Sequence, residues 1–204
     1  MPKAAVVSST IQLPRFDLRT MQLRLVGDAP LICHAWSHKQ KEAMLHKQMK
    51  KAKQAKEAKD PEQDFRDSLY PHPDGGYGFP SVAFKAAAVD ACSHVDGITK
   101  VEARGAFHIN GDLVKINGEP TPREDMVRIG MGTADIRYRG QFDPWSVDLE
   151  LRYNAGVLSA EQIIHLFNIA GFGIGVGEWR PQRDGSFGLF HVATQVEGGM
   201  ELAA

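Results

Sequence analysis

The sequence has little cysteine, no long apolar run and no excess of charge of either sign. Its 204 residues include two cysteines, Cys33 and Cys92, too few for a disulfide scaffold, which favours a reducing cytoplasm. No apolar stretch approaches the roughly 20 residues that cross a bilayer, and the first twelve residues lack the apolar core of a signal peptide. We therefore expect a cytoplasmic protein that makes no membrane contact.

The overall charge is balanced, because 24 Lys and Arg residues stand against 25 Asp and Glu residues and leave a net charge of −1. A uniformly basic surface for nucleic acid is thereby excluded, whereas a local basic patch is not. Hydrophobic residues make up 43% of the chain and charged residues 24%, close to the average of globular proteins. Length and composition predict a single domain over residues 1–204.

One segment, between Ser37 and Lys59, is strongly basic. Eight lysines stand there against two glutamates, which leaves six positive charges. Good helix formers predict one helix with Ser37 as N-cap and a stop at Asp60-Pro61. Its apolar stripe is thin, so the lysines either form a solvated face or bind phosphates. The phosphate-binding candidates are Lys47, Lys50, Lys51 and Lys53.

The remaining predicted elements follow the order strand, helix, strand, strand, helix, strand. Their ranges are 19–26, 82–92, 101–109, 145–153, 161–170 and 186–192. This βαββαβ order predicts an α+β fold, a ferredoxin-like or RRM-like core with helices on one face of an antiparallel sheet. Two insertions are predicted, residues 37–80 with the basic helix and residues 111–142 with β-hairpin-like strands. We expect a loop over 61–80 and irregular structure over 120–125.

A glycine-rich stretch follows the second core helix. Gly171, Gly173, Gly175 and Gly177 alternate with apolar residues and lead into Glu178-Trp179-Arg180-Pro181. No Gly-Lys-Ser/Thr follows, so this is not a Walker loop, and it does not open from a strand as a dinucleotide fingerprint does. Two interpretations remain: a helix C-cap running into a tightly packed strand, or a loop, with Trp179, that contacts the backbone of a ligand or of a neighbouring subunit.

Arginines and aromatic residues recur in the predicted strands. Guanidinium groups bind phosphate and aromatic rings stack on unpaired bases, so these residues are candidates for nucleic-acid contact. The alternative for each aromatic residue is packing in the core or an interface. The arginine candidates are Arg128, Arg137, Arg139 and Arg180.

No spacing of residues nominates a catalytic centre. Cys33, His34 and His38 could form a zinc site with Cys92 and His94, but no Cys-x-x-Cys pair exists, and we expect no metal. The zinc-deaminase and Gly-x-Ser-x-Gly signatures are absent. No pair of carboxyl or histidine residues is singled out for acid–base work. We therefore expect a protein that is not an enzyme and needs no cofactor.

The glycine-rich sequences Gly-Phe-Gly-Ile-Gly-Val-Gly-Glu-Trp-Arg-Pro (171–181) and Gly-Ser-Phe-Gly-Leu-Phe (185–190), with the βαββαβ order, resemble the RAMP superfamily of CRISPR effector complexes. The whole chain also looks like a family of bacteriophage proteins, which implies the host cell cytoplasm. The RAMP resemblance covers mainly residues 145–192. It implies binding of single-stranded nucleic acid, DNA or RNA, and head-to-tail assembly into a homo-oligomer. The alternative is a phage structural or inhibitory protein whose insertions bind only protein partners.

Overall fold

The computed structural model describes residues 16–36, 38–51, 58–129 and 132–194. Its helices are α1 (His38–Gln48), α2 (Pro61–Asp67), α3 (Ser81–Ala91), α4 (Lys100–Ala106) and α5 (Ala160–Gly173). Its strands are β1 (Leu18–Gly27), β2 (Leu31–Cys33), β3 (Tyr70–Pro71), β4 (Tyr77–Pro80), β5 (Phe107–Ile109), β6 (Leu113–Asn117), β7 (Pro120–Ile129), β8 (Thr133–Phe142), β9 (Ser146–Asn154) and β10 (Phe190–Val192). No helix in these ranges is long and apolar enough to cross a membrane.

The main sheet is antiparallel throughout and centres on β1 and β9. Its strand order is β10-β1-β9-β6-β4-β3, and β5 pairs with the far end of β9, so β5 and β6 lie end to end along the same edge. β9 alternates as expected for a strand buried on one face: Leu149 and Leu151 are buried, whereas Glu150 and Arg152 are exposed. The predicted α+β class with an antiparallel sheet is confirmed.

The two long core helices bury apolar faces in one cluster with the sheet. α5 contributes Ile163, Leu166 and Phe167, spaced as one helical face. It begins with the predicted capping box, in which Ser159 and Gln162 cap each other's backbone N–H groups. α3 packs beside α5 and is rich in alanine, so the two helix axes and the sheet approach closely.

A second sheet, in the order β2-β8-β7, carries a long hairpin. β7 and β8 pair over their full length, from Pro120 opposite Phe142 to Ile129 opposite Thr133. The expectation of irregular structure over 120–125 is wrong. Pro120 and Pro122 are accommodated because β7 is the edge strand, where a missing N–H breaks no ladder.

The basic helix is shorter than expected. α1 ends at Gln48, and Lys50 has a φ of 53°, a left-handed conformation that stops a helix. Residues 58–60 are not helical either. Residues 52–57 lie outside the described residues. None of the described side chains of α1, from Lys41 to Gln48, is buried, so burial of an apolar face adds no stability to further turns.

The expected loop over 61–80 contains α2, β3 and β4. Asp60 accepts hydrogen bonds from the N–H groups of Glu62 and Gln63, and Pro61 occupies the first helical position. Asp-Pro thus starts a helix here, since proline has no N–H to leave unsatisfied in the first turn.

Two predicted strands are also corrected. Most of 101–109 is α4, which begins at a Thr99–Glu102 capping box before the chain extends into β5. The last strand is confined to Phe190–Val192. Residues 186–189 instead close a loop, in which the N–H of Val176 donates to Gly188 O at 3.0 Å and the N–H of Gly188 donates to Pro30 O at 2.9 Å.

Candidate nucleic-acid interface

Helix α1 presents its cations to solvent. Lys41 and Lys47 on the helix, and Lys50 and Lys51 just after it, are all exposed. Lys53 lies outside the described residues. Where the chain is described again, Lys59 Nζ lies 3.0 Å from Asp135 Oδ1 on β8. The basic segment therefore starts beside β2 and returns to the β7–β8 hairpin.

The arginines of the hairpin divide into two kinds. Arg128 is exposed opposite Ala134, and half-buried Arg137 lies 3.7 Å from Asp135 Oδ2. Both can reach an incoming phosphate. Arg139 differs, because it is only 3% exposed.

Arg139 ties the hairpin to the glycine-rich segment. One terminal nitrogen donates to Asp125 Oδ2 at 3.1 Å, and the other lies 3.7 Å from Glu178 Oε2. A buried arginine engaged by two carboxylates has little access to a phosphate. Sequence reasoning placed Arg139 among the phosphate contacts, and the alternation of strand residues alone did not reveal that it points inward.

The glycine-rich stretch is packed against its own chain. Gly171 and Gly173 complete α5, so the stretch is partly helical. A Cβ on Gly171 would lie 1.7 Å from the carbonyl oxygen of Phe190, whereas a Cβ on Gly173 would meet nothing within 4 Å. Gly171 is required for close approach of helix and strand, and Gly173 is not.

Gly175 and Gly177 form the turn after α5. Their φ angles are 68° and 80°, and a Cβ on Gly177 would lie 2.6 Å from Ile32 O. These positions favour glycine both by conformation and by space. The backbone that these glycines approach belongs to β2 and to the returning loop of the same chain, and the contact with a ligand or a neighbouring subunit stays a prediction.

Trp179 has an unusual backbone for a bulky residue. Its φ is 55°, and its carbonyl oxygen accepts a hydrogen bond from the N–H of Phe187 at 3.0 Å. Gly185 lies so close to this carbonyl that a Cβ there would sit 1.8 Å from the oxygen. The packing holds Trp179 in the left-handed region while its indole stays 42% exposed. Such locally unfavourable conformations are concentrated at functional sites.

A cleft of about 300 Å³ opens beside this turn. One wall is a face of α3, formed by Ala83, Ala86, Ala87 and Asp90 at helical spacing. The opposite wall is the segment from Ile174 to Glu178, followed by Arg180 and Gln182. The cleft exists because alanine side chains on α3 leave space that a longer side chain would fill.

The remaining lining comes from the start of the basic insertion and from β3 and β4. Ile32 and His34 form one end, and Tyr70, Phe79 and Pro80 close the floor. The rings of Tyr70 and Phe79 meet edge to face with centroids 5.8 Å apart. The Tyr70 hydroxyl donates to His34 O at 3.4 Å. The interior of the cleft is mainly apolar.

A charged network closes one end of the cleft. His34 Nδ1 lies 3.4 Å from Glu178 Oε1, and Arg139 lies beside the other carboxylate oxygen. The contact with His34 holds the pKa of the Glu178 carboxyl below its ordinary value, Arg139 and Arg180 act in the same direction, and partial burial opposes them.

A second polar network, at Asp90 and Gln182, also lines the cleft. Asp90 accepts hydrogen bonds from Lys100 Nζ and from Gln182 Nε2, both at 2.8 Å. Gln182 Oε1 in turn accepts from the guanidinium of Arg180 at 3.1 Å. The hydrogen bond from Lys100 lowers the pKa of the Asp90 carboxyl. Arg180, predicted as a phosphate contact, is half-buried at this rim and also donates to Gly177 O.

Two of the three tryptophans stand near the His34–Glu178 contact. Trp145 is buried and donates to Ala29 O at 2.8 Å. Trp36, two residues after His34, is 57% exposed, and Trp179 directly follows Glu178. Trp36 also lies two residues before the lysine-bearing helix α1, and exposed indoles in a lysine-rich part of the chain suit stacking on unpaired bases.

Sequence reasoning missed His34, Trp36, Asp90 and the alanine face as members of this site. The one available signal was the placement of Trp36 directly before the lysine run. No local sequence pattern predicts the contact between His34 and Glu178.

The open face of the main sheet is poorly suited to stacking. Its outward positions on β9 carry Asp148, Glu150 and Arg152, and the facing positions of β1 run from Thr20 to Arg24 without an aromatic ring. RRM domains stack bases on aromatic residues of their sheet. That mode of binding is not available at these positions.

The zinc site considered from the sequence would join Cys33, His34, His38, Cys92 and His94. Cys33 and Cys92 are buried free thiols, and burial raises the pKa of the Cys33 thiol to about 12. Across the described parts of the chain, no group of three or more His, Cys, Asp or Glu residues is arranged to hold a metal ion.

Comparison with known proteins shows a distant likeness in structure. No protein-family model matches the sequence, and no curated protein matches it. Among solved structures, the chain is similar to the crystal structure of Cmr6 from Pyrococcus furiosus, with 8% sequence identity and a TM-score of 0.40. The likeness covers 88% of this chain and 100% of that one. At such values it carries no argument about function.

Proposed function

We propose that this protein binds single-stranded nucleic acid along the edge of the cleft, without catalysing a reaction on it. One observation carries the proposal: Trp36 and Trp179 are both exposed and lie within two residues of His34 and Glu178, which contact each other, and Trp36 lies two residues before the lysine-bearing helix α1. Bases stack on the indoles, and the phosphates between them meet ammonium groups. Assignment of the core to the ferredoxin-like or RAMP type, and a phage origin, belong to this proposal as well.

A titration with short single strands tests the function. Labelled dT20 and U20 are titrated with the protein at several salt concentrations, and the Kd is measured by fluorescence anisotropy. Trp36→Ala and Trp179→Ala are each expected to weaken binding by about fivefold or more, since stacking on an aromatic residue contributes about 1–3 kcal/mol per base. Trp179→Phe should retain most of the affinity.

Phe16→Ala is the matched control. Phe16 is 69% exposed and lies just before the start of β1, whereas the end of β1 leads toward the cleft. The length of this ten-residue strand separates Phe16 from the cleft by about 33 Å. If the tryptophan variants bind both strands as tightly as wild type and as Phe16→Ala does, the stacking surface is wrong. If wild type binds neither strand, the proposed function is wrong.

A protein-binding function is the second candidate, and the β7–β8 hairpin favours it. Met126 and Ile136 are cross-strand partners and both are exposed, so the hairpin carries an apolar pair in solvent. Helix α1 likewise exposes Met44, Leu45 and Met49. Surfaces of this kind bury themselves against a neighbour, which also supports the proposed self-assembly.

Light scattering separates these possibilities. Assembly through the hairpin predicts an oligomer in wild type that shifts toward monomer in Met126→Ser/Ile136→Ser. An oligomer that forms equally in this variant assigns the contact to another surface. A monodisperse monomer near 22.5 kDa, with and without a long single strand, overturns self-assembly.

A further inference from the structure

We propose that the cleft between α3 and the segment from Ile174 to Gln182 receives one unpaired nucleobase of the bound strand. This inference rests on the proposed nucleic-acid binding and names the subsite in which a base is held. The cavity of about 300 Å³ has room for a purine ring system together with water.

The shape and polarity of the cleft match a flat heteroaromatic ring. Its walls are the alanine face of α3 and the apolar residues Ile174 and Val176, and its floor is formed by Phe79 and Tyr70. A planar ring fits between such walls and is held by dispersion and by exclusion of water. Alanines at 83, 86 and 87 are the feature that keeps this slot open.

Polar side chains in the lining can meet the donors and acceptors at the edge of a base. His34 and the Glu178 carboxylate form one set, Asp90 and the Gln182 amide form another, and Arg180 is linked to both. Both sets are fixed by their own contacts before a ligand arrives. Pre-oriented polar groups beside apolar lining residues distinguish a base from an aliphatic side chain.

The position of Trp179 explains how a strand would deliver the base. Trp179 lies between the lining residues Glu178 and Arg180 but is not part of the lining, and its indole is exposed. A strand that stacks one base on this indole brings the next base to the mouth of the slot. Arg180 at the rim is placed beside the connecting phosphate. The left-handed backbone of Trp179 keeps the indole in this place.

The experiment places larger side chains at the α3 residues that line the cleft. Ala83→Leu and Ala86→Leu add bulk at positions that are half-buried and exposed, so α3 has room to remain folded. Val82→Leu adds bulk on the same helix at an exposed residue outside the lining. Thermal melting checks that all three variants fold. Binding is measured with labelled dA12, dT12 and a 12-mer of abasic sites, and with adenosine monophosphate as the free base source.

The expected result is a loss of about tenfold in affinity for the natural strands in Ala86→Leu or Ala83→Leu, with Val82→Leu within about twofold of wild type. The salt dependence should not change, because no phosphate contact is removed. On the abasic strand, wild type and the filled variants should bind equally, since the cavity then has nothing to hold.

The outcomes separate this inference from the proposed function. Tight binding of natural strands that is equal in wild type and in both filled variants overturns the base pocket and leaves the proposed function standing. In a third outcome, wild type binds adenosine monophosphate but no strand, and the filled variants lose the nucleotide. This result supports a base pocket for free nucleotides and contradicts the proposed binding of a single strand. Binding of neither strand nor nucleotide overturns both proposals.

Discussion

The basic helix α1 was predicted to bind phosphates and the glycine-rich segment 171–177 to contact a ligand or a neighbouring subunit, and the two are built in opposite ways. Most described side chains from 41 to 51 are exposed, whereas the glycine-rich segment is in contact with β2, β10 and its own returning loop. Changes in α1 should alter binding and spare the fold. Changes in the glycine-rich segment should alter the fold first, so a loss of binding there has to be separated from unfolding.

The largest expected effect is that of Gly171→Val. Its Cβ would overlap the backbone carbonyl of Phe190, which cannot move without shifting β10. We expect the free energy of unfolding to fall by at least about 3 kcal/mol, which lowers the Tm by about 6–12 °C for a domain of this size. Gly173→Ala is the control within the same helix, since its Cβ meets nothing, and it should leave the Tm unchanged or slightly higher. Equal melting of both variants would mean that the segment is not packed as described.

Arg139→Met should come next. The change removes the cation shared by Asp125 and Glu178 and leaves their charges less compensated. We expect a loss of about 2 kcal/mol in the free energy of unfolding, measured by urea denaturation, because Asp125 keeps its contact with Arg123. Arg128→Met, an exposed arginine on the same hairpin, should have an effect below about 0.5 kcal/mol. If Arg128→Met destabilised the protein more than Arg139→Met does, Arg139 would again be a candidate for phosphate contact.

The triple variant Lys47→Gln/Lys50→Gln/Lys51→Gln tests the other side of the comparison. These side chains are exposed, so the Tm should stay within about 1 °C of wild type. If they meet phosphates, the slope of log K against log salt should fall by about 2, at about 0.7 for each contact with a single strand. Lys115→Gln removes one exposed charge on β6, away from α1, and should leave the slope unchanged. An unchanged slope would assign α1 to solvent or to a protein partner.

The smallest expected effect is a pH dependence at Glu178. Its pKa is depressed from the ordinary value of 4.5, first through His34, so its contribution to stability is fully present above that value. The contribution is lost as the pH falls through the depressed pKa of the folded state. We therefore expect the difference in Tm between wild type and Glu178→Gln to be largest near pH 6 and to shrink below pH 4.5. If this difference in Tm stayed constant from pH 6 to pH 3, the Glu178 carboxylate would not belong to the charged network with His34 and Arg139.

Local patterns predicted the regions whose structure depends on near neighbours. The alternation of β9 and the apolar spacing and capping box of α5 identified both elements, because a strand or an amphipathic helix buries one face wherever it lies. The composition of the lysine run likewise predicted a basic, exposed segment. The predicted strand is wrong over 101–106, where a capping box at Thr99 starts a helix. The predicted long basic helix is wrong because it ends at Gln48, and the described side chains of α1 bury no face.

Only the tertiary structure decided which residues share the cleft. Its walls come from four stretches that are far apart in the chain: 32–34, 70–80, 83–90 and 174–182. The periodicity of β8 assigns Arg139 to one face of a strand, but the packing of β8 against residue 178 determines that this face is buried. In the same way, composition marks α3 as alanine-rich, and the approach of the glycine turn makes those alanines the wall of a slot. Sequence patterns report the environment within one element, whereas charge compensation and cavity shape arise from contacts between distant elements.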